Sequence, residues 1–391
     1  MALPPPSRPA ELPDPATCGP VIVGMSGGVD SAVSAWLLHR WGYAVQGLFM
    51  SNWEDDEDSY CTTAHDFQDA RGVCEAIGVA LHRVSFAAEY RETVFAHFLK
   101  EYAAGRTPNP DVLCNREIKF GVCMAYMRRL GGAWIATGHY ARVVHAAQGS
   151  RLMKAKDAAK DQSYFLHGIS AAALSRCLFP IGAMLKTDVR RLAHAAGLPV
   201  FDKPDSTGIC FIGERPFADF LARYLRQARG PIETDAGDVI GEHRGLPFYT
   251  LGQRSGLKVG GRAGAAQAPW YVAEKNSARN ALIVVQSQDH PRLLSQEFEV
   301  EDLNWLGAVP RDGTICQVKT RYRQRDLACT MHLEVARKCR VELEQPARAV
   351  TPGQYAVFYA GDECLGGGVI ASRSAVPVIP AGASLEYTQH I

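Results

Sequence analysis

The sequence of 391 residues contains no two cysteines in C-x-x-C spacing, although it has eleven cysteines. This absence excludes the common zinc-ribbon, thioredoxin-like and iron–sulfur patterns, which need such pairs. We therefore expect no structural metal, no iron–sulfur cluster and no dedicated metal site in the protein. An odd number of cysteines in a chain of this length does not suggest a disulfide-stapled secreted domain, so we expect a cytoplasmic protein.

Long apolar runs and a strong excess of charge are also missing. The longest stretch without Asp, Glu, Lys or Arg extends only from Pro15 to Val29. A membrane-spanning helix needs about 20 apolar residues, so we expect no membrane partner. Lys and Arg number 42 against 41 Asp and Glu, which leaves a net charge of +1. This balance argues against a bulk polycation but allows a local basic track for nucleic acid.

The order of patterns along the chain predicts an α/β unit followed by β structure. Apolar runs that alternate with helical spacing are typical of a doubly wound parallel sheet, whose ligands lie at the carboxyl ends of its strands. The predicted strands of this unit are Val21–Met25, Val45–Met50, Val79–Val84 and Trp134–Ala136. Phe217–Arg229 predicts one further helix and Pro247–Thr250 a short strand. From Asn280 onward, short strands separated by turns indicate a small barrel or sandwich.

A Gly-rich loop, Ser26-Gly-Gly-Val-Asp-Ser31, connects the first predicted strand to a helix. Its backbone N–H groups and hydroxyls suit a phosphate at a helix N-terminus. It lacks the Lys of a Walker A loop, which normally stabilises γ-phosphate transfer. The loop resembles the SGG-x-DS signature of ATP pyrophosphatases, and the alternative is a tight turn that binds nothing. Asp30 would help to hold the Mg²⁺ of ATP, or it is an acid favoured by the helix dipole.

Two further clusters each place a cysteine in a turn-rich setting. Cys114 follows Thr107-Pro-Asn-Pro-Asp-Val-Leu near the start of a predicted helix, with Arg116 and Lys119 close in sequence. A helix N-terminus and neighbouring cations both lower the pKa of a thiol. Cys210 lies in the cluster DSTGICFIGER. Either cysteine alone fits an inert buried thiol better, but the pair on a chain with an ATP loop suggests sulfur transfer.

Eight motifs occur along the chain in a fixed order: GMSGGVDS, GRTPNPDVLCN, ATGHYAR, KDQSYFL, DSTGICFIGER, TLGQR, KTRYRQ and VTPGQYAVFY. Together they resemble the bacterial tRNA-specific 2-thiouridylases, the MnmA family, over about residues 21–372. The resemblance implies an α/β fold followed by β structure. The predicted parts are a disordered extension over 1–20 without a signal- or transit-peptide pattern, a PP-loop ATP-pyrophosphatase domain over 21–213, a small central domain over 214–279, a C-terminal β-barrel over 280–373, and a loose tail over 374–391.

The resemblance also implies a reaction, that of a tRNA-uridine 2-sulfurtransferase. ATP, with Mg²⁺, would adenylylate the C2 oxygen of the wobble uridine in the tRNA anticodon, and sulfur would replace the activated oxygen. The products would be 2-thiouridine, AMP and pyrophosphate. Cys210 would carry a persulfide received from a sulfur-relay protein, and Cys114 would be the nucleophile that closes a transient disulfide with Cys210. Asp111 would be a general acid/base, or else a turn-stabilising Asp after Pro110.

The same resemblance assigns binding residues. ATP would be bound by Gly24, Met25, Ser26, Gly27, Gly28, Val29, Asp30, Ser31, Met50 and Gly138. The tRNA would be bound by Asn109, Pro110, Asp111, His139, Lys160, Asp161, Gln162, Arg321, Tyr322 and Gln354. Independently of the family, Arg321–Arg325 alternates guanidinium groups with an aromatic ring, which suits RNA but also a solvated strand face.

Three alternatives stay open on the residues alone. Another ATP pyrophosphatase, such as an amidating synthetase, would share the loop but would not need Cys114 and Cys210. A non-catalytic RNA-binding protein would carry the loop as a vestige. A thiol–disulfide exchanger would use the cysteines without ATP.

Overall fold

The structure is a computed structural model that describes residues 4–53, 56–205, 217–225, 228–259, 268–334 and 337–376. In chain order, its strands are β1 (Val21–Met25), β2 (Val45–Ser51), β3 (Leu81–Ser85), β4 (Trp134–Ala136), β5 (Arg142–Ala146), β6 (Gly149–Met153), β7 (Cys177–Leu178), β8 (Gly230–Thr234), β9 (Val239–His243), β10 (Trp270–Asn276), β11 (Ala281–Gln286), β12 (Leu294–Trp305), β13 (Thr314–Lys319), β14 (Leu327–Glu334), β15 (Lys338–Arg348), β16 (Tyr355–Ala360) and β17 (Glu363–Ala375). Its α-helices are α1 (Val29–Arg40), α2 (Asp56–Ile77), α3 (Ala87–Tyr90), α4 (Ala96–Ala103), α5 (Pro110–Leu113), α6 (Cys123–Arg129), α7 (Ser163–Leu166), α8 (Ala171–Leu174), α9 (Lys186–Ala195) and α10 (Phe217–Ala222).

The N-terminal domain is built on a five-stranded sheet in the order β3-β2-β1-β4-β7. Every pairing in it is parallel. Val21, Ile22 and Val23 of the central strand are fully buried because helices cover both faces of the sheet. The chain leaves β1 for β2 on one side and returns to β4 on the other, which opens a crevice at the carboxyl end of β1. The predicted doubly wound α/β domain is confirmed.

The helical run from Pro110 to Arg129 contains a π-helical stretch. It consists of α5, a π-helix over Cys114–Val122, and α6. Asn109 caps its start, since its Oδ1 accepts a hydrogen bond from the backbone N–H of Asp111 at 3.2 Å. Pro110 occupies the first turn, where its missing N–H costs no helical hydrogen bond. The two prolines and the cap therefore fix where this helix begins, four residues before Cys114.

The central domain carries a four-stranded sheet in the order β10-β11-β8-β9. The helix predicted over Phe217–Arg229 is shorter in the structure, where α10 ends at Ala222. The strand predicted at Pro247–Thr250 is wrong, because Leu246–Phe248 forms a 3₁₀ turn instead. Gly245 enters this turn with φ of +131°, a conformation that breaks extended pairing.

The C-terminal domain is a closed barrel. Its strands pair in the order β12-β15-β14-β13-β16-β17, and a β12–β17 pairing closes the ring. The predicted β-barrel is therefore confirmed. The hairpin β5–β6 of the N-terminal domain pairs with β17 at Met153–Glu363 and Leu152–Cys364, and so extends the barrel sheet. This hairpin, for which no strands were predicted, ties the first domain directly to the last.

The segment before β1 packs on the first domain, unlike the disordered extension that the sequence predicted for 1–20. Leu12 is buried in the core, and Trp41 Nε1 donates a hydrogen bond to the Pro6 carbonyl at 2.8 Å. Arg142 pairs with Glu11 at 3.1 Å. At the other end, β17 continues to Ala375, and the rest of the predicted tail, 377–391, lies outside the described residues. None of the described helices is both long and apolar enough to cross a membrane.

Candidate active site

The phosphate loop lies between the carboxyl end of β1 and the N-terminus of α1. Ser31 Oγ accepts from the backbone N–H of Ser26 at 3.2 Å and donates to the Gly28 carbonyl at 3.0 Å. The hydroxyls of Ser26 and Ser31 are 3.1 Å apart. Gly28 is the N-cap residue, and no side chain caps the helix there. The first N–H groups of α1 are thus left for an external acceptor at the positive end of the helix dipole.

Two glycines explain how closely the chain packs around this loop. Gly27 has φ of +77°, and a Cβ there would lie 2.4 Å from the Asp66 carbonyl oxygen. A Cβ on Gly138 would lie 2.7 Å from the backbone N of Ser31. The turn after β4 therefore presses directly on the first turn of α1. Met50, at the end of β2, lies beside Gly24, where a Cβ would be 3.5 Å from its Cε.

Asp30 is held by two side chains that sequence reasoning missed. Lys186 Nζ lies 2.7 and 2.8 Å from the two carboxylate oxygens of Asp30. The Tyr140 hydroxyl donates to Asp30 Oδ1 at 2.9 Å, and burial together with the Asp30 charge raises the pKa of this phenol. Lys186 is 156 residues from Asp30 in sequence. No local pattern could have revealed it, because only the packing of α9 against α1 brings it there.

The same lysine also reaches Asp205, the first residue of the cluster that contains Cys210 and the last one described before Phe217. Lys186 Nζ lies 2.8 Å from Asp205 Oδ1. Lys160 and Arg190 bind the same carboxylate at 2.7 and 2.5 Å. Burial alone would raise the pKa of Asp205, but hydrogen bonds from Lys160 and Lys186 hold it well below its usual range. An ionic chain therefore runs from the phosphate loop to the start of the Cys210 cluster.

Asp111 and Cys114 lie one helical turn apart at the start of the Pro110–Arg129 helical run. Burial raises the pKa of Asp111, and the charge of Lys119 partly offsets this effect. Cys114 is almost fully buried, with 1% of its surface exposed. The half-buried carboxyl fits the proton transfer predicted for it, while the buried thiol must become accessible before it can react.

His139 connects this helix to the phosphate loop. Its ring lies 5.9 Å from the ring of Phe120, which belongs to the π-helical stretch. Its Nδ1 lies 2.6 Å from the Thr137 hydroxyl. Burial and the nearby charge of Lys119 lower the pKa of His139 well below its usual value, so the imidazole is neutral. Since Gly138 packs on α1, the helix that carries Cys114 adjoins the turn that supports the phosphate loop.

Cys210 lies outside the described residues, which end at Asp205 and resume at Phe217. Its predicted persulfide and its disulfide with Cys114 stay predictions. Two cysteines can be bridged without backbone movement only if their Cα atoms lie within about 7 Å. Cys74 and Cys123, which the sequence places in or beside helices as packing residues, are buried, and burial raises their pKa values to about 11 and about 12.

The predicted tRNA residues Lys160, Asp161 and Gln162 are engaged within the protein. Lys160 binds Asp205. The buried Asp161 accepts hydrogen bonds from the backbone N–H of Ala155 at 3.0 Å and from the Ser163 hydroxyl at 2.9 Å. Gln162 Oε1 accepts from the backbone N–H of Tyr140 at 2.8 Å. The structure thus shows Gln162 holding the Tyr140 segment and Asp161 holding Ala155 and Ser163, and their tRNA contacts stay predictions.

Arg321 joins the central domain to the barrel. Its Nη2 donates to the carbonyls of Leu251 and Ala349, each at 2.8 Å, and to the Thr351 hydroxyl at 2.9 Å. Burial lowers the pKa of this guanidinium, and the neighbouring Tyr164 partly offsets the effect. Tyr322 next to it packs on Phe165 with ring centroids 4.4 Å apart. The RNA contacts predicted for Arg321 and Tyr322 stay predictions beside these intramolecular ones.

Replacing Arg321 with Met is expected to lower the free energy of unfolding by roughly 1–3 kcal/mol, because acceptors on three buried residues lose its hydrogen bonds. Thermal unfolding measures this change. Arg323→Met is the matched control, since Arg323 lies over the ring of Tyr322 with its guanidinium carbon 5.3 Å from the centroid. Equal melting temperatures of the two variants would contradict a clamping role for Arg321.

Two adjoining cavities lie where the loop at 154–161 faces the barrel turn at 319–326. Their volumes are about 440 and 870 Å³. The smaller one is lined in part by Lys160, Asp161 and Tyr322, three of the predicted tRNA residues. The larger one is lined by both signs of charge: Arg142, Lys154, Lys156, Lys319, Arg323, Arg325, Asp161, Asp326 and Asp362.

One further cluster of potential metal ligands lies beside the phosphate loop. Among the described residues, His65, Asp66 and Asp69 place ligand atoms within 4.8 Å of one another. Lys203 already binds both carboxylates, with Nζ 2.7 Å from Asp66 Oδ1. The hydrogen bonds to Asp66 and Asp69 raise the pKa of Lys203 above its usual value, despite its burial. The lysine therefore takes the place that a cation would need.

Three family models match consecutive parts of the chain. They are a tRNA methyl transferase HUP domain at residues 19–214, a tRNA methyl transferase PRC-barrel domain at 218–286, and an aminomethyltransferase beta-barrel domain at 295–370.

Curated proteins named tRNA-specific 2-thiouridylase MnmA match nearly the whole chain. The protein of Verminephrobacter eiseniae is 56% identical over 362 residues, covering 90% of this chain and 98% of that protein. The protein of Cupriavidus metallidurans is 56% identical, with coverage of 90% and 98%. The protein of Escherichia coli O1:K1 is 52% identical, with coverage of 93% and 99%. The chain therefore belongs to the family of tRNA-specific 2-thiouridylases.

Proposed function

We propose that this protein replaces the C2 oxygen of the wobble uridine in tRNA anticodons with sulfur, at the expense of ATP. The observation that carries the proposal is the phosphate loop, in which Asp30 binds Lys186. It occurs in a chain that is 56% identical to a 2-thiouridylase over 362 residues. The loop supports the ATP step, and the helical run that begins at Pro110 supplies Asp111 and Cys114 for the sulfur step.

In the ATP step, the free N–H groups of α1 bind the phosphates that leave as pyrophosphate. The uridine C2 oxygen attacks the α-phosphorus, so that AMP is joined to this oxygen and the α–β phosphate bond breaks. Met50 and Gly138 flank the nucleotide. Adenylylation is necessary because a carbonyl oxygen is a poor leaving group, whereas AMP is a good one.

The chain also has groups that fit Mg²⁺, which neutralises phosphate charge when it accompanies ATP. The fit rests on the half-buried Asp30 carboxylate in the first turn of α1, which would hold the ion once Lys186, now bound to both of its oxygens, turns toward the phosphates. Carboxylate oxygen is the donor that Mg²⁺ prefers. Lys186 and Tyr140 orient this carboxylate, and Lys186 adds a second positive charge next to the departing pyrophosphate.

In the sulfur step, Cys210 carries the outer sulfur of a persulfide that a relay protein has delivered. The Cys114 thiolate attacks the inner sulfur, so a Cys114–Cys210 disulfide forms and hydrosulfide is released. Hydrosulfide adds to C2 of the uridine and AMP leaves with the oxygen. A dithiol reductant then returns both cysteines to thiols. Asp111, whose pKa is raised by burial, moves the proton beside the base.

The uridine reaches this site from an anticodon loop, where an unpaired base is flipped at the least cost in energy. Asn109, Pro110 and Asp111 would contact the base, and His139 and Gln354 would add contacts nearby. Lys160, Tyr322 and the cations of the adjoining cavities would meet the RNA backbone.

The test supplies a tRNA transcript with uridine at the wobble position, ATP and a persulfide donor protein, and measures 2-thiouridine by mass spectrometry of the digested RNA. We expect 2-thiouridine, AMP and pyrophosphate in equal amounts, and no product without ATP. A transcript with cytidine at that position is the matched control and should release no pyrophosphate above background. Thiolation that proceeds equally without ATP would overturn the proposal.

A further inference from the structure

Thr107 lies where all three domains meet. Its backbone N–H donates to the Pro352 carbonyl at 3.0 Å, and its own carbonyl accepts from Gln354 Nε2 at 2.7 Å. Both partners belong to the turn that precedes β16 of the barrel. From the central domain, Lys275 Nζ reaches the Thr107 hydroxyl at 3.5 Å. One residue of the active-site loop is thus held from two sides.

Lys275 differs from the other lysines that the fold buries in part. Those that form ion pairs with carboxylates, at 2.5–3.7 Å, are Lys154, Lys160, Lys186, Lys203 and Lys319. Lys275 pairs with no carboxylate in the described parts of the chain, and the long hydrogen bond to Thr107 is the only polar contact of its ammonium there. An ammonium has three donors, so two of them are available to an anion.

The place of this cation suits an RNA backbone. Thr107 begins the segment that leads directly to Asn109, Pro110 and Asp111, which are expected to contact the target base. Gln354, expected to contact tRNA, is bonded to the same residue. A flipped nucleotide at Asn109–Asp111 must be followed by RNA backbone, which carries one negative charge per nucleotide. The unpaired ammonium lies beside this path.

We propose that Lys275 binds a backbone phosphate of the anticodon loop, beside the nucleotide that enters the active site. The inference rests on the proposed function, since it requires a tRNA in this cleft. It adds a phosphate contact from the central domain. The domain would then help to position the RNA as well as to brace the loop at Thr107.

The electrostatic surroundings of Lys275 agree with this assignment. Burial lowers its pKa to about 8. Its hydrogen-bond partner Thr107 and its cross-strand neighbour Leu282 on β11 do not titrate. Two charged residues adjoin Thr107 and Lys275 in sequence. Arg106 pairs with Glu101, and the charge of Glu274 partly offsets the lowering of the pKa of Arg373 by burial. A bound phosphate favours the charged ammonium and raises this pKa, so RNA binding takes up a proton.

The first test measures tRNA affinity against salt concentration for the wild type, Lys275→Gln and Lys275→Arg. Loss of one phosphate contact should reduce the slope of log affinity against log salt by about 0.7–1 in Lys275→Gln and leave it unchanged in Lys275→Arg. Lys258→Gln is the matched control, because it removes the same charge from an exposed position of the same domain. A purely structural lysine would change thermal stability but not the slope.

The second test measures the same affinity against pH. Wild-type affinity should be highest below pH 8 and should fall by up to about eightfold between pH 7.5 and 9, because the ammonium loses its proton in the free protein first. Lys275→Arg should lose this pH dependence, since guanidinium stays charged.

The outcomes separate this inference from the proposed function. If the wild type does not bind the tRNA at all, the proposed function fails. If it binds but Lys275→Gln keeps the full salt slope, or Lys275→Arg keeps the pH dependence, only the phosphate site at Lys275 is overturned.

Discussion

Replacing Asp30 with Asn is expected to slow tRNA-dependent pyrophosphate release by about 10²–10³, the loss typical of one preorganised charge at a reacting group. The Asn keeps the shape of the side chain but removes the charge that binds Lys186 at 2.7 Å. Lys186 would then lose one of its two carboxylates and turn toward Asp205. Pyrophosphate release measured with a coupled phosphatase assay gives the rate directly.

The control is Asp188→Asn, which removes the same charge from the first turn of α9, where Asp188 pairs with the exposed Arg191. It should change the rate by less than about twofold, since exposed ion pairs contribute little. Binding of the tRNA should persist in both variants. Unaltered pyrophosphate release in Asp30→Asn would contradict the assignment of the loop.

Lys186 gives a second test of the same pair. If Asp30 and Lys186 act as one unit, the rate of the double variant Asp30→Asn/Lys186→Met should be close to that of the slower single variant, because such effects are not additive. Lys186→Met alone should also lower the melting temperature, since it leaves Asp30 and Asp205 without their shared cation. If the rate loss of the double variant instead equals the product of the two single-variant losses, the two residues act independently.

Local patterns predicted the parts of the site that are contiguous in sequence. The strand, the Gly-rich loop and the helix after it were found because periodicity and glycine preference act over a few residues. The helix next to Cys114 was found for the same reason, whereas the cap at Asn109 was seen only in the structure. The division into an α/β domain and a barrel followed from the change in strand spacing after about residue 280.

The parts that sequence could not predict depend on contacts between distant segments. Lys186 reaches Asp30, and Arg321 takes the carbonyl of Leu251 from another domain. The hairpin β5–β6 has ordinary residues, and only the start of β17, at Glu363 and Cys364, gives it a partner. The basic motif also gave no sign that the guanidinium of Arg321 is bonded to protein carbonyls.

Replacing Cys114 with Ser is expected to reduce 2-thiouridine formation to below about one-thousandth of the wild-type rate, while pyrophosphate release continues. Adenylylation needs the phosphate loop and the uridine oxygen, whereas release of sulfur needs a thiolate, and a serine hydroxyl at neutral pH does not supply an equivalent nucleophile. The two products of one reaction should therefore be uncoupled in this variant.

The fate of the sulfur distinguishes the two cysteines. After incubation with a persulfide donor, Cys114→Ser should keep one additional sulfur atom on the peptide that contains Cys210, even when tRNA and ATP are added. The wild type should lose that atom under the same conditions, and Cys210→Ser should never acquire it. Mass spectrometry of the alkylated peptides measures whether this additional sulfur atom is present in each of the three proteins.

A buried cysteine on the same helical run provides the matched control for this experiment. Cys123 is fully buried, and burial raises the pKa of its thiol to about 12, so it is protonated and unreactive. Cys123→Ala should lose some stability, as expected for a small cavity, but should still form 2-thiouridine. Thiolation by Cys114→Ser at more than a tenth of the wild-type rate would show that hydrosulfide leaves the Cys210 persulfide without Cys114. The nucleophile would then have to be an external thiol, and Cys114 would be a packing residue at the start of its helix.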